Sequence, residues 1–200
     1  MNSVELDTKS KILQYAIEMV GLKGDVTIRE LTDSAGVNVA SINYYFGSKD
    51  NLLKEVEKYY SNALYNAQYK ILTSQELSPY DKLLEWAKTM SGFISQYPAL
   101  ISLIVKLATE DKKYTPVLIE KVYLNKELQA MLLEIIGTII KSEDKKLVKF
   151  KYLQIFSGIL GPVVNRLVVE NFADGDSTLN LKTKEDLEEY MKFLIDTVLS

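Results

Sequence analysis

Two short helices joined by a glycine turn are predicted within residues 27–52, which read TIRELTDSAGVNVASINYYFGSKDNL. Thr27 and Glu30 have the spacing of a capping box, in which each side chain satisfies a free backbone N–H at the start of a helix. Gly36 follows this first helix at the point where many helices end in the left-handed conformation that glycine tolerates. A second helix follows at once, and helix, tight turn, helix is the layout of a helix-turn-helix.

The second of these helices has one apolar face and one face suited to polar contacts. Ile42 and Phe46 lie four residues apart, so they share a side of the helix, and we expect them to point inward. The opposite face carries small, amide and hydroxyl-bearing side chains: Ala40, Ser41, Asn43, Tyr44 and Tyr45. Such a face can approach a DNA backbone and form hydrogen bonds with phosphates and base edges. The pattern alone also fits three packed helices whose tyrosines are ordinary surface residues.

Helical periodicity continues through nearly the whole chain, and we find no convincing strand and no internal repeat. Gly21 and Gly24 are expected to end the first helix, and Asn38 is expected to cap the third. The predicted helices span residues 7–23, 27–35, 38–46, 49–72, 80–96, 99–109, 117–141 and 144–172, with a last one beginning at residue 183. The sequence therefore predicts an all-α fold.

The composition narrows the function. The chain has 200 residues, of which 47% are hydrophobic and 26% charged, so it can bury a core. It contains no cysteine and no histidine, which excludes disulfides, thiolate chemistry, a histidine base and histidine-ligated metals. No paired-acid motif replaces them. We therefore expect no enzyme activity, no cofactor and no metal site.

Charge and hydropathy bear on the partners. The net charge is −3, which argues against a general nucleic-acid coat. Residues 1–72 hold seven lysines, one arginine and nine acids, yet residues 34–49 contain no carboxylate. DNA affinity would then depend on a few well-placed groups. No apolar run approaches the roughly 20 residues of a membrane helix, and we see no signal peptide, so we expect a cytoplasmic protein without a membrane partner.

The 26 residues quoted above resemble the signature of the TetR family of transcriptional regulators. The resemblance rests on the opening threonine, the Ala-Gly-Val turn, the aromatic pair before Phe46 and the Ser-Lys-x-x-Leu start of the fourth helix. It implies an N-terminal three-helix DNA-binding domain at residues 1–48 and a connecting helix at residues 49–72. Residues 73–200 would form a helical domain for effector binding and dimerisation.

The resemblance also implies roles for single residues. Thr27, Arg29 and Lys49 would hold DNA phosphates, and Tyr44 and Tyr45 would contact the backbone or base edges. The residues that would face bases or the nearby backbone are Val39, Ala40, Ser41 and Asn43. The family often has tyrosine in place of Asn43 and sometimes a polar residue in place of Val39, so the operator sequence does not follow from the resemblance.

The family pattern implies a homodimer that represses transcription from a pseudo-palindromic site in double-stranded DNA and is released by a small, largely apolar effector. We expect Gly158 and Gly161 to allow close helix approach in the dimer. The apolar set that would suit the effector comprises Trp86, Met90, Phe93, Tyr97, Tyr123, Met131 and Phe156, and no pocket residue is assigned. The alternative, favoured by the acidic head, is a helical protein-interaction module of the same fold that regulates no gene.

Overall fold

The computed structural model describes residues 7–23, 26–111, 113–172, 181 and 183–200. These residues form nine α-helices and one short π-helical segment, with no strand among them, so the predicted all-α class is confirmed. The helices are α1 (Thr8–Lys23), α2 (Ile28–Ala35), α3 (Val39–Phe46), α4 (Lys49–Leu72), α5 (Pro79–Gln96), α6 (Pro98–Glu110), α7 (Lys126–Ile140), α8 (Lys145–Phe172) and α9 (Lys184–Leu199). The π-helical segment is Ile119–Tyr123.

Side-chain caps begin several helices where the sequence predicts a start. Asp7 Oδ1 accepts a hydrogen bond from the Ser10 N–H at 2.9 Å, before α1. Thr27 forms the predicted capping box with Glu30, and Thr183 forms one with Asp186 at the start of α9. Each cap satisfies backbone donors that have no partner within the helix, which fixes the helix start.

Gly21 does not end the first helix, contrary to prediction. α1 continues to Lys23, and Gly24 lies outside the described residues. The Tyr60 hydroxyl lies 2.1 Å from the position that a Cβ on Gly21 would occupy, and it donates a 2.7 Å hydrogen bond to the Ile17 carbonyl. Glycine is therefore needed at this position because the Tyr60 ring packs directly on the helix backbone.

The predicted helix at residues 117–141 is interrupted. Asn125 has extended backbone dihedrals, and its side chain accepts hydrogen bonds from the N–H groups of Glu127 and Leu128, so it starts α7 as a new helix. The π-helical segment precedes this break. Apolar spacing alone missed the interruption because a cap changes the backbone path without disturbing the hydrophobic pattern.

Residue contacts divide the chain into two compact units. Unit 1 comprises Met1–Ala63 and Tyr97–Tyr123, and unit 2 comprises Leu64–Gln96 and Leu124–Ser200. Within unit 1, α1 packs against α2 and α6, and α2 packs against α3. Within unit 2, α5 packs against α7, α8 and α9. The domain boundaries predicted at residues 48 and 72 divide the chain by function, whereas these two units divide it by residue contacts. The functional boundaries stay a prediction.

Two residues of the predicted apolar effector set belong to unit 1. Tyr97 packs on Tyr60 with 4.6 Å between ring centroids, and Tyr123 is exposed. Trp86 and Met90 are buried in unit 2, whereas Phe93, Met131 and Phe156 are half-buried there. The spacing of apolar residues could not distinguish the residues of unit 1 from those of unit 2. It shows which face of a helix is apolar but not which unit that face packs on.

A fully buried carboxylate, Glu57, holds the segment before the π-helix in unit 1. It accepts hydrogen bonds from the Tyr114 hydroxyl (2.6 Å) and the Ser61 hydroxyl (2.7 Å). The backbone N–H groups of Leu118 (2.9 Å) and Val117 (3.1 Å) also donate to it. Burial, and next the hydrogen bond to Glu57, raises the pKa of Tyr114 well above its ordinary value. Four donors thus compensate a charge that would otherwise be costly to bury.

Alkaline pH should destabilise unit 1 through Tyr60. Burial, followed by the neighbouring Tyr97 and Tyr59, raises the pKa of Tyr60 to about 12. The fold therefore favours the neutral phenol, so the stabilisation is complete below about pH 10 and is lost as the pH rises towards 12. Tyr60→Phe should cost about 0.5–1.5 kcal/mol at pH 8 through the lost hydrogen bond to Ile17.

The measurement is urea unfolding at pH 8, 10 and 11 for the wild type and Tyr60→Phe. The wild type should lose its advantage over the variant as the pH rises. A constant difference between the two proteins would show that Tyr60 does not titrate with folding.

Candidate nucleic-acid interface

The turn between α2 and α3 has the backbone geometry that the sequence predicts. Gly36 is left-handed, with φ 65° and ψ 39°, and its N–H donates to the Asp33 carbonyl at 3.4 Å. The Val37 N–H donates to the Thr32 carbonyl at 3.0 Å. These bonds satisfy the last carbonyls of α2 and turn the chain within two residues.

Helix α3 is oriented as predicted. Ile42 and Phe46 are buried, whereas the Tyr44 side chain is 82% exposed. Tyr45 is also exposed, and its ring meets that of Tyr44 edge-on with 4.9 Å between centroids. The remaining outward positions are Val39, Ala40 and Asn43, all exposed. The helix therefore presents two tyrosines, an amide and small side chains to solvent.

Two of the predicted contact residues already have local hydrogen-bond partners. The Ser41 hydroxyl donates to Asn38 Oδ1 at 3.1 Å, beside the capping bond from the Ser41 N–H to the same oxygen at 2.9 Å. The Thr27 hydroxyl donates to Glu30 Oε2 at 2.8 Å. In these positions each hydroxyl oxygen can still accept a hydrogen bond, but its proton is engaged.

The predicted phosphate-binding cations lie at helix starts. Arg29, in the first turn of α2, has a 91% exposed side chain, and its Nε lies 4.0 Å from Asp33 Oδ2. Lys49 is the half-buried first residue of α4. Ser48 Oγ caps this helix by accepting from the Asn51 N–H at 3.1 Å. The free N–H groups of both helix starts favour an anion nearby, which Asp50 partly opposes at α4.

Sequence reasoning missed the lysines of α1. Lys9 Nζ lies 5.7 Å from the centroid of the Phe46 ring, at the end of α3. Lys11 Nζ lies 3.8 Å from the position of a Cβ on Gly36, at the turn. A cleft of about 550 Å³ next to Tyr45 is lined by Lys9, Tyr45, Phe46, Asn51, Lys54, Glu55, Lys58, Tyr114 and Val117. Only the packing of α1 and α4 shows that these lysines meet the predicted DNA-binding residues.

Comparison with known proteins identifies this arrangement. The model of a family described as bacterial regulatory proteins, tetR family, matches residues 12–56, which run from α1 through α3 into α4. Over these residues the chain is similar to the TetR family of regulators. The curated relatives that match are described as transcriptional regulators rather than enzymes, in agreement with the expectation that the chain is not an enzyme.

Two curated relatives of this chain are described as regulators. It is 30% identical over 114 residues to a protein of Bacillus subtilis described as a probable HTH-type transcriptional regulator, YttP, and the match spans about half (54%) of each chain. It is 26% identical over 165 residues to the HTH-type transcriptional regulatory protein RaaS of Mycobacterium tuberculosis, covering 79% of this chain and 71% of RaaS.

A solved structure extends the similarity in fold to nearly the whole chain. A TetR-family regulator from Mesorhizobium loti superposes with a TM-score of 0.62 at 14% identity, over 99% of this chain and 98% of the other. Similarity at this level of identity concerns the fold alone. The predicted DNA-contacting residues of this chain are therefore argued from its own geometry.

Proposed function

We propose that this chain is a TetR-type transcriptional regulator of the cytoplasm that binds a pseudo-palindromic site in double-stranded DNA as a homodimer. It represses transcription and leaves the DNA when a small, largely apolar effector binds. The observation that carries the proposal is the orientation of α3, with Ile42 and Phe46 buried and Tyr44 82% exposed. A large aromatic residue held in solvent beside small residues suits a helix that enters a major groove.

The phosphate contacts supply the affinity in this proposal. Thr27, Arg29 and Lys49 hold phosphates at the starts of α2 and α4, and Lys9 and Lys11 add cations from α1. The base-facing set on α3 is Val39, Ala40, Ser41, Asn43, Tyr44 and Tyr45. Ser41 can accept a hydrogen bond from DNA through its hydroxyl oxygen. Thr27 donates to a phosphate only after its hydroxyl proton turns away from Glu30 Oε2, because a phosphate accepts hydrogen bonds and the Thr27 N–H is engaged with the same carboxylate.

The dimer surface in this proposal is a stripe on α8. Phe150, Leu153, Ser157, Gly161 and Val164 are all exposed, and at 100° per residue they fall within one quarter of the helix circumference. Apart from the neighbouring backbone of α8 itself, no atom of the described residues lies within 4 Å of the position of a Cβ on Gly161. Exposed apolar side chains around a glycine allow a second helix to approach closely, and a second copy of the chain is the occupant that the family pattern favours.

Gly158 does not serve this surface, and the prediction that placed it there is wrong. A Cβ on Gly158 would lie 2.5 Å from Leu194 Cδ1 of the same chain, and Tyr190 Oη donates to the Gly158 carbonyl at 3.2 Å. Pro162 has no N–H to donate to this carbonyl in the helix, which leaves it available. Gly158 therefore packs α8 against α9.

The apolar stripe also bears on the membrane question. Among the described residues, Lys145–Asn165 is long and apolar enough to cross a membrane. Length and composition do not distinguish a membrane span from a helix with one apolar face for a second protein molecule. We propose the second reading because the exposed apolar residues form one stripe, whereas Lys145, Lys146, Lys149 and Lys151 lie in the first two turns of the same helix.

Effector release follows from linked equilibria. A ligand that favours a form of the dimer with lower DNA affinity has its own affinity lowered by DNA by the same factor. The buried aromatic and sulfur-containing side chains of unit 2 suit an apolar ligand. The alternative function remains a helical protein-interaction module that regulates no gene. A measurement of specific DNA binding distinguishes this alternative from the proposed regulator.

Tyr44→Ala should weaken binding to the DNA upstream of the gene by at least about tenfold, since one good base contact contributes about 1–3 kcal/mol. The fold should persist because the Tyr44 side chain is exposed. Fluorescence anisotropy with the upstream duplex and a scrambled duplex measures the effect, and Tyr59→Ala, which removes an exposed tyrosine of α4, is the matched control. Equal binding of both duplexes by the wild type at every salt concentration would favour the interaction module.

Lys9→Ala should weaken binding to the upstream and the scrambled duplex by the same factor. It should also make the plot of log K against log salt concentration less steep by about one, as expected for the loss of one phosphate contact. Lys49→Ala should behave in the same way. Lys192→Ala, at an exposed position of α9, should leave the slope unchanged. An unchanged slope for Lys9→Ala would remove α1 from the interface.

Gly161→Leu should weaken the dimer by at least about tenfold in sedimentation equilibrium while leaving the thermal unfolding of dilute protein nearly unchanged, because the added side chain meets open space within its own chain. Gly158→Leu should instead lower stability by about 1–3 kcal/mol through overpacking against Leu194. If the Gly161→Leu dimer is as tight as the wild type, the α8 stripe is not the interface.

A further inference from the structure

Two buried polar atoms of unit 2 have no hydrogen-bond partner within the described part of the chain. They are Gln68 Nε2 on α4 and Ser91 Oγ on α5. Gln68 is 98% buried, since only 2% of its surface is exposed. Most buried polar atoms in native proteins are hydrogen-bonded, and an unpaired donor opposes folding. An unpaired amide donor held in a core is therefore a feature that needs a ligand or a water molecule to account for it.

The orientation of the Gln68 amide is fixed by Trp86. The indole Nε1–H of Trp86 donates to Gln68 Oε1 at 2.8 Å. An indole N–H can only donate, so it must meet the carbonyl oxygen of the amide rather than its nitrogen. The amide group cannot be reversed without placing two donors against each other. The Gln68 Nε2 donor consequently does not face the Trp86 N–H, and no described residue accepts a hydrogen bond from it.

Two further aromatic rings continue from the Trp86 ring that meets the Gln68 amide. Trp86 lies 6.5 Å from Tyr152, and Tyr152 stacks on Phe156 at 6.0 Å, measured between ring centroids. Tyr152 and Phe156 are only half-buried. Flat, partly accessible rings beside one oriented polar group are the usual composition of a small-molecule site.

The charge balance defines the ligand further. Glu57 is the one charged side chain among the buried residues that the structure describes, and it belongs to unit 1. The described core of unit 2 thus offers an ionic ligand no buried counter-charge, and burying an unpaired charge is strongly unfavourable. Because the Gln68 amide donor has no buried charged side chain beside it, the molecule that it binds should be uncharged and should carry an oxygen that accepts a hydrogen bond.

We infer that the effector of the proposed regulator is an uncharged, largely apolar molecule whose carbonyl or ether oxygen accepts a hydrogen bond from Gln68 Nε2 beside Trp86. This inference rests on the proposed function because it identifies the chemical class of the effector. Gln68 lies on α4, the helix that begins at Lys49, so the ligand would contact the same helix that carries a predicted phosphate contact.

The test uses the single tryptophan of the chain as a reporter at the site. Trp86 is the only tryptophan, so a ¹H–¹⁵N spectrum contains one indole N–H peak. Acetophenone, 1-indanone and benzophenone are titrated into the full chain, each beside its hydrocarbon counterpart: ethylbenzene, indane and diphenylmethane. At least one ketone should shift the indole peak and bind at least about tenfold more tightly than its hydrocarbon. Absence of any shift, or equal affinity within every pair, overturns the inference.

Two variants assign the preference to Gln68. Gln68→Leu should bind a ketone and its hydrocarbon with similar affinity, whereas Ser91→Ala, which removes the other unpaired atom, should keep the ketone preference. A preference that survives Gln68→Leu, or is lost in both variants, contradicts the assignment. The wild-type titration stands on its own if a variant does not fold.

Upstream-DNA binding is measured on the same wild-type sample. Specific DNA binding without an indole shift refutes the ligand class alone. An indole shift without DNA binding refutes the proposed regulator but leaves the site.

Discussion

The burial of Ile42 and Phe46 is the constraint on which the candidate interface depends. Helix α3 has eight residues, and a helix this short is not stable in water without tertiary packing. Burial of these two apolar side chains, one turn apart, therefore stabilises α3. It also determines which face of the helix points to solvent. Because the rotation of α3 is set in this way, Tyr44 and Asn43 face solvent, where the Tyr44 ring meets the Tyr45 ring edge-on. The exposed face is free to vary in sequence while the buried pair maintains its direction.

Much of the fold could be predicted because its signals are local. The capping box of Thr27, the cap of Asn38 and the left-handed Gly36 each act within four residues, so the sequence contains the whole interaction. Two of the predictions failed because the cause is distant in the sequence. The sequence predicts a helix end at Gly21, but the residue that requires glycine there, Tyr60, lies 39 positions later in the chain. Gly158 was assigned to a dimer surface, although Leu194 of the same chain packs on it.

The candidate site shows the same division. The outward face of α3 follows from helical spacing, and it was predicted correctly in direction. The lysines of α1 were not, because charge counted along the chain gives residues 1–72 a net acidic balance. Packing brings Lys9 to the end of α3 and Lys11 to its preceding turn. Local charge depends on which helices touch, and a charge sum over a sequence window does not contain that information.

The Glu57 carboxylate has a consequence for the cooperativity of unit 1. Its four donors come from Ser61 on α4 and from residues 114–118. If the segment moved away without solvent entering, three donors would be lost together and the buried Glu57 carboxylate would keep only the Ser61 hydroxyl as a donor. A partly detached segment is therefore less stable than either the fully attached or the fully released segment. The amides of Val117 and Leu118 should behave as part of one opening unit, exchanging their hydrogens together with the release of Tyr114 rather than by independent fraying.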